Sequence, residues 1–123
     1  MHPLQDMPIE ARRGVRGVFA DIDDTLTTHG KLTAPAYAAL DRLQRAGKLV
    51  IPITGRPAGW CDHIARMWPV DAVVGENGAF YMRYDAAARR LVKRFVATDD
   101  ERVAHRARLA AIGARILREV PGT

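Results

Sequence analysis

Three carboxylates fall within four positions of this chain, at Asp21, Asp23 and Asp24, with the hydroxyl of Thr25 directly after them. Acids so close repel one another unless a cation or a basic group offsets them. Hard oxygen donors of this kind suit Mg2+, which takes one or two carboxylates and completes its shell with water and substrate phosphate. An ordinary polar turn accounts for two of the acids, since Asp and Thr bond locally to backbone, but not for three in four positions. The apolar run Val18-Phe19-Ala20 precedes them and reads as a buried strand. The acids therefore sit at a strand's carboxyl end, where ligands of open α/β sheets collect.

Two further runs end in polar residues of the same character. Leu49-Val50-Ile51-Pro52-Ile53 leads into Thr54-Gly55-Arg56, twenty-nine positions after Thr25, and Asp71-Ala72-Val73-Val74-Gly75 leads into Glu76-Asn77-Gly78-Ala79. Together the three segments resemble the haloacid dehalogenase (HAD) superfamily. Asp21-Ile22-Asp23-Asp24-Thr25 is similar to its Asp-x-Asp-x-Thr motif I, Thr54 to its motif II, and Glu76-Asn77-Gly78-Ala79 to a turn of the Cof-like, sucrose-phosphatase-like branch, subfamily IIB. Three ordered motifs over about half of a chain are more specific than any one of them.

The resemblance implies a Mg2+-dependent phosphomonoester hydrolase that works through an aspartyl-phosphate, with small sugar-phosphate-like substrates. Asp21 is then the nucleophile, a role that carboxylates fill in covalent phosphoryl transfer. Asp23 is the general acid and base, and Asp21 with Asp23 the metal ligands. Thr54 holds a phosphoryl oxygen through its hydroxyl, with the amide of Gly55 and the side chain of Arg56 beside it. Positioning and charge neutralisation of this kind carry most of the catalysis in phosphoryl transfer. Asn77 is expected on the substrate side, although a turn formed with Gly78 would explain it equally well. Arg56 fits a phosphate partner and a solvated first-turn residue about evenly. Asp24 stands where the branch often has Gly and reads as a turn residue, not a ligand.

The elements that must position these residues alternate. A poorly ordered start gives way to a strand over about 16–21. Ala34-Pro35 opens a helix that Gly47 follows, since Pro favours the first turn and Gly the position past the end. A second strand spans about 48–53, Pro57 begins a helix carrying Trp60, Ile64, Met67 and Trp68, and a third strand spans about 71–75. This order predicts an α/β fold with a Rossmann-like parallel sheet and right-handed crossovers. Past Gly78 the pattern changes. Phe80–Tyr84 and Leu91–Val96 read as a β-hairpin, and Thr98-Asp99-Asp100-Glu101 as a capping box for a helix over about 99–118. Val103, Ala107, Ala110, Ala114 and Leu117 give that helix a narrow apolar stripe without an evident partner. By resemblance, residues 1–78 are the N-terminal part of a HAD core and 79–123 the start of an incomplete cap domain.

Composition bounds what remains. The chain has 123 residues, 48% of them hydrophobic, enough for one modest domain. No apolar stretch approaches the roughly 20 residues a membrane span needs, and the first residues do not read as a secretory signal, so a cytoplasmic location is expected. The single Cys61 excludes an internal disulfide and, near Trp60, reads as a packing residue. Residues 1–82 carry nine basic and nine acidic side chains and residues 83–123 ten and five, so the whole net charge of +5 lies in the last third. A nucleic-acid-binding role is disfavoured, because those Arg residues are scattered with few aromatics between them.

The family's Lys (motif III) and last acidic motif (motif IV) have no clear counterpart. Lys93 with Asp99-Asp100 would be a compressed version, but no crossover helix is readable before Leu91, and capping explains the acids. The expectation is therefore an N-terminal piece of a longer phosphatase, inactive alone, with a homodimer covering its open sheet edge as its escape from exposure. A non-enzymatic anion-binding or regulatory module of the same fold is the alternative that the missing motifs favour.

Overall fold

In the computed structural model, which describes residues 3–120 and Gly122, the chain begins with a 3-10 turn at Leu4–Asp6 and the short helix α1 (Ile9–Gly14). The sequence gives no strong signal for α1. It is pinned by Arg12, whose Nε donates to the Met7 carbonyl (2.6 Å) and whose Nη2 donates to that of Gln5 (2.7 Å).

From there the alternation expected from the sequence is present. Strand β1 (Gly17–Asp21) runs into a tight irregular turn at Ile22–Leu26. A two-residue hairpin follows, β2 (Thr27–Thr28) with β3 (Lys31–Leu32). Helix α2 (Ala34–Arg45) starts where Thr33 Oγ1 accepts from the Ala36 amide and Pro35 fills the first turn; it ends before Gly47, at φ 71°. Strand β4 (Leu49–Ile53), helix α3 (Ala58–Met67) and strand β5 (Val73–Gly75) complete the parallel part. The Tyr37 hydroxyl donates to the Met67 carbonyl at 3.0 Å and ties α2 to α3.

β5 begins two residues later than the sequence suggests. Asp71 is used otherwise: its carboxylate accepts from the Val50 amide (2.7 Å) and its own amide donates to the Val50 carbonyl (2.9 Å). That bracket anchors the approach to the strand from the side of β4.

β1 pairs parallel with β4, and β4 with β5. The chain then reverses through a 3-10 turn at Glu76–Gly78, where Glu76, Asn77 and Gly78 have φ of 48°, 54° and 100°. Strands β6 (Phe80–Asp85) and β7 (Arg90–Phe95) return antiparallel, so the predicted hairpin joins the same sheet and extends it from three strands to five, in the order β1-β4-β5-β6-β7.

Helix α3 packs on β5 and β6 over the core of Ile22, Cys61, Ile64, Ala65, Val73, Phe80 and Met82. Strand residues alternate between the faces. Val50 is buried, whereas Phe19 (64% exposed), Leu49 (52%) and Ile53 (38%) point to the other face and stay open.

The last helix, α4 (Asp99–Glu119), carries the expected capping box: Thr98 Oγ1 accepts from the Glu101 amide, and the Glu101 carboxylate accepts from the Thr98 amide at 2.8 Å. None of its residues is buried, and the stripe residues Val103 and Leu117 are 67% and 66% exposed. Its near end is held by the Arg102 guanidinium lying 3.6 Å from the Phe95 ring centroid. No helix among the described residues is long and apolar enough to cross a membrane.

Candidate functional site at the strand ends

Asp21 is the last residue of β1 and stands in register with Ile53, the last residue of β4, which in turn pairs with Val74 of β5. Three parallel strands thus end together, and the loops leaving them form a cavity of about 320 Å3 lined by Phe19, Ala20, Asp21, Ile53, Thr54, Gly55 and Asn77. Of the residues singled out in the sequence, Asp21, Thr54, Gly55 and Asn77 meet here. Asp23 and Arg56 do not line this cavity; they face each other. Phe19 and Ile53 were not singled out from the sequence. They supply an apolar wall that only the register reveals.

The turn after β1 depends on one backbone reversal. Asp24 has φ 57° and ψ 14°, the left-handed region that Asp tolerates better than most residues. Thr27 secures it from below. Its buried hydroxyl donates to the Ile22 carbonyl (3.0 Å) and accepts from the Asp24 amide (3.3 Å). Asp24 is thus a turn residue, as the sequence suggested.

Thr54 is 2% exposed and fully committed through its backbone. Its amide donates to the Val74 carbonyl (2.9 Å) and its carbonyl accepts from the Asn77 amide (3.1 Å). The hydroxyl oxygen accepts from the Arg56 amide at 3.1 Å, which leaves the hydroxyl proton free to donate. At Gly55 a side chain would meet Asn77: a Cβ there would lie 3.1 Å from Asn77 Oδ1 and 3.5 Å from Nδ2. Glycine lets the amide of the turn and the amide side chain of Asn77 share one small space.

The carbonyl of Arg56 accepts from the Glu76 amide (3.2 Å) and from the Cys61 thiol (3.7 Å). Its guanidinium lies 4.5 Å from the Trp60 ring centroid. From there Nε donates to Asp23 Oδ2 at 3.1 Å and Nη2 to Oδ1 at 2.5 Å, a forked pair. The hydrogen bonds from Arg56 hold the Asp23 carboxyl below the usual carboxylate range and raise the Arg56 guanidinium in return. Trp60 was read from the sequence only as a helix residue; its place beside Arg56 is a matter of helix phase. Cys61 is fully buried, and burial first, then the charge of Glu76, pushes its thiol up, as befits a packing residue.

Lys93 lies on β7, with Nζ 4.4 Å from the Phe80 ring centroid and 4.5 Å from that of Phe95. Four strand spacings separate β7 from β1, roughly 19 Å at about 4.8 Å each. Lys93 is remote from Asp21, in accord with rejecting it as a compressed motif III. Among the described residues no group of three or more His, Cys, Asp or Glu side chains is arranged to hold a metal ion.

Comparison with known proteins bears on this arrangement. No curated protein matches the chain. A haloacid dehalogenase-like hydrolase from B. subtilis superposes with a TM-score of 0.54 at 25% identity, over 73% of this chain and 31% of its own. A phosphatase of the haloalkanoate (HAD) superfamily from Bacteroides thetaiotaomicron superposes with a TM-score of 0.57 at 22% identity, over 89% of this chain and 40% of its own, and supports the fold alone. The chain thus spans about a third of the length of these solved structures. The sequence model of the haloacid dehalogenase-like hydrolases matches residues 18–105, which run from β1 through the strand-end cavity into α4, and the chain belongs to that family.

Proposed function

We propose that this chain carries the nucleophile and phosphate-binding half of a Mg2+-dependent phosphomonoester hydrolase acting on small, sugar-phosphate-like substrates in the cytoplasm. The observation that carries the reading is the convergence of Asp21, Thr54, Gly55 and Asn77 on one cavity at the parallel strand ends. A division into a core part, 1–78, and the start of a cap, 79–123, belongs to the same proposal, with the hairpin physically continuous with the core sheet.

In this reading a carboxylate oxygen of Asp21 attacks phosphorus, and the bond from phosphorus to the leaving alcohol oxygen breaks. Asp23 gives its proton to that oxygen. Water then yields a proton to Asp23 and attacks phosphorus, which releases phosphate and restores the Asp21 carboxylate. Thr54 donates its free hydroxyl proton to a phosphoryl oxygen, and the Gly55 amide lies beside it. The oxygen-only donor set suits a hard cation, and two carboxylates with water and phosphate make a shell that Mg2+ accepts. Asp21 and Asp23 would hold it, and bound there it would offset charge on the phosphoryl oxygens.

A second reading, anion binding without turnover, is favoured by one observation: both oxygens of Asp23 accept from Arg56. The two readings separate in one assay, release of phosphate from small phosphomonoesters with Mg2+. It is run on this chain and on the full reading frame that contains it, each beside its Asp21→Asn variant. We expect turnover from the longer form, reduced at least about a thousandfold by the substitution, and little or none from the 123-residue chain. An Asp21→Asn protein with full activity ends the assignment, and phosphate binding without turnover in the longer form selects the second reading.

A further inference from the structure

A carboxylate whose two oxygens both accept from one guanidinium is a poor proton donor and a poor base, because the ion pair favours its charged, occupied form. Yet Arg56 is built to stay in place. Its amide and carbonyl are fixed by Thr54, Glu76 and Cys61, and its guanidinium is stacked on Trp60, so the fork is aimed by parts that do not depend on Asp23. The partners differ in exposure: the Arg56 side chain is 23% exposed and that of Asp23 52%. The arginine is the seated member and the aspartate the more exposed one. A planar guanidinium fork fits a carboxylate or a phosphate equally well in shape, and one edge serves one such partner at a time. Arg56 also follows Thr54 and Gly55 of the cavity lining by only one or two positions.

We propose that Arg56 is exchanged between Asp23 and the phosphoryl group: without phosphate it holds Asp23 through Nε and Nη2, and an arriving phosphoryl group takes that edge and frees the Asp23 carboxylate. Trp60 is the positioning residue, keeping the guanidinium plane in reach of both partners. This rests on the phosphate-site reading above and adds to it an order of events, in which the acid and base group is released only where phosphate is bound.

The test follows the Arg56 Nε–H resonance of the 15N-labelled chain during titration with inorganic phosphate, in the wild type, Asp23→Asn and Asp24→Asn, with far-UV circular dichroism confirming that each is folded. Exchange predicts different starting positions for wild type and Asp23→Asn but one shared end point, since both end on phosphate. It also predicts phosphate binding about two- to fivefold tighter in Asp23→Asn, where no salt bridge has to be broken, and a smaller change in Asp24→Asn, which alters the same charge without touching Arg56. End points that stay apart mean that phosphate used the guanidinium's other edge, and they overturn the exchange while leaving the phosphate site intact. A resonance that phosphate never moves overturns both. For Trp60, Ala should weaken phosphate binding about two- to fivefold and Phe should restore it; equal binding in all three removes Trp60 from the mechanism.

Discussion

The side-chain amide of Asn77 lies over Gly55, close enough that a Cβ at Gly55 would stand 3.1 Å from Asn77 Oδ1. The same two segments are joined through the Thr54 carbonyl, which accepts from the Asn77 amide at 3.1 Å. The ends of β4 and β5 are therefore one unit, and a push on either moves both. Gly55→Ala should lower turnover of the active form by about ten- to a hundredfold, because catalytic positioning tolerates only small displacements. Asn77→Gly keeps the left-handed backbone and removes the obstacle, so the double variant should regain part of the loss in stability that Gly55→Ala causes. Additive losses in thermal melts would show that the two do not touch in solution.

The Asp23–Arg56 pair sets a sign for pH dependence. Its carboxyl is depressed from the ordinary Asp value of 3.8 chiefly by the hydrogen bonds from Arg56. The stability the pair contributes is then fully present above that value and is lost as pH falls through the depressed one. Carboxyl 13C spectra should show Asp23 titrating below the ordinary Asp value of 3.8 in the wild type and rising towards it in Arg56→Gln. An Asp23 titration that the substitution leaves unchanged would falsify the pair.

Gly75 is crowded on its core side. A Cβ there would collide with the Phe80 ring and stand 2.6 Å from Cys61 Sγ. Both neighbours are buried, so Gly75→Ala should destabilise the chain by about 1–3 kcal/mol in urea unfolding. Adding Cys61→Ala opens space beside the new methyl and should recover part of that cost. No recovery would mean that Phe80 alone sets the limit.

Helix α4 relies on its cap, since none of its residues is buried. Thr98→Ala should cost about 1 kcal/mol of local helix stability and fray the first turn, visible as faster amide exchange at residues 99–103. The Thr98 amide first, and its hydroxyl second, hold the Glu101 carboxyl below its ordinary range, so losing the hydroxyl should let it rise only part of the way. Unchanged exchange would show that the Arg102–Phe95 contact alone fixes this end.

Self-association is expected of the 123-residue chain, because Phe19 and Leu49 stand open on the uncovered face. Light scattering after size-exclusion chromatography should give a species larger than a monomer, and Phe19→Ser with Leu49→Ser should shift it towards the monomer. A stable wild-type monomer with Mg2+-dependent turnover would overturn both the incompleteness of the site and this association.

Much of the parallel half was legible in the sequence because its punctuation is local. Pro35 and Gly47 bound α2, Pro57 precedes α3, and the polar residues at Asp21, Thr54 and Glu76 mark where apolar runs stop. What escaped depends on partners distant in sequence. Asp71 looked like the first residue of a strand until its carboxylate was seen on the Val50 amide. The hairpin's place in the main sheet follows from the left-handed turn at Glu76–Gly78, of which Asn77-Gly78 gave a hint but no direction. In the site, Asp21, Thr54, Gly55 and Asn77 were readable by type, whereas the stacking of Arg56 on Trp60 and the wall of Phe19 and Ile53 were not. Those need the helix phase and the strand register that only the folded chain supplies.

The two margins of the sheet are chemically unlike. The outer strand β7 displays Arg90 and Arg94 and carries Lys93, while β1 at the opposite margin offers Val18, Phe19 and Ala20. Like charges along a margin discourage a second copy from docking there. Stacking of β1 on β7 from chain to chain, the arrangement that would propagate into a fibre, meets that cationic border at every step, whereas β1 against β1 is symmetric and exhausts itself at two chains. The hairpin that widens the sheet therefore also acts as its terminator, confining adhesive backbone to the one margin that a further segment or a second copy can cover.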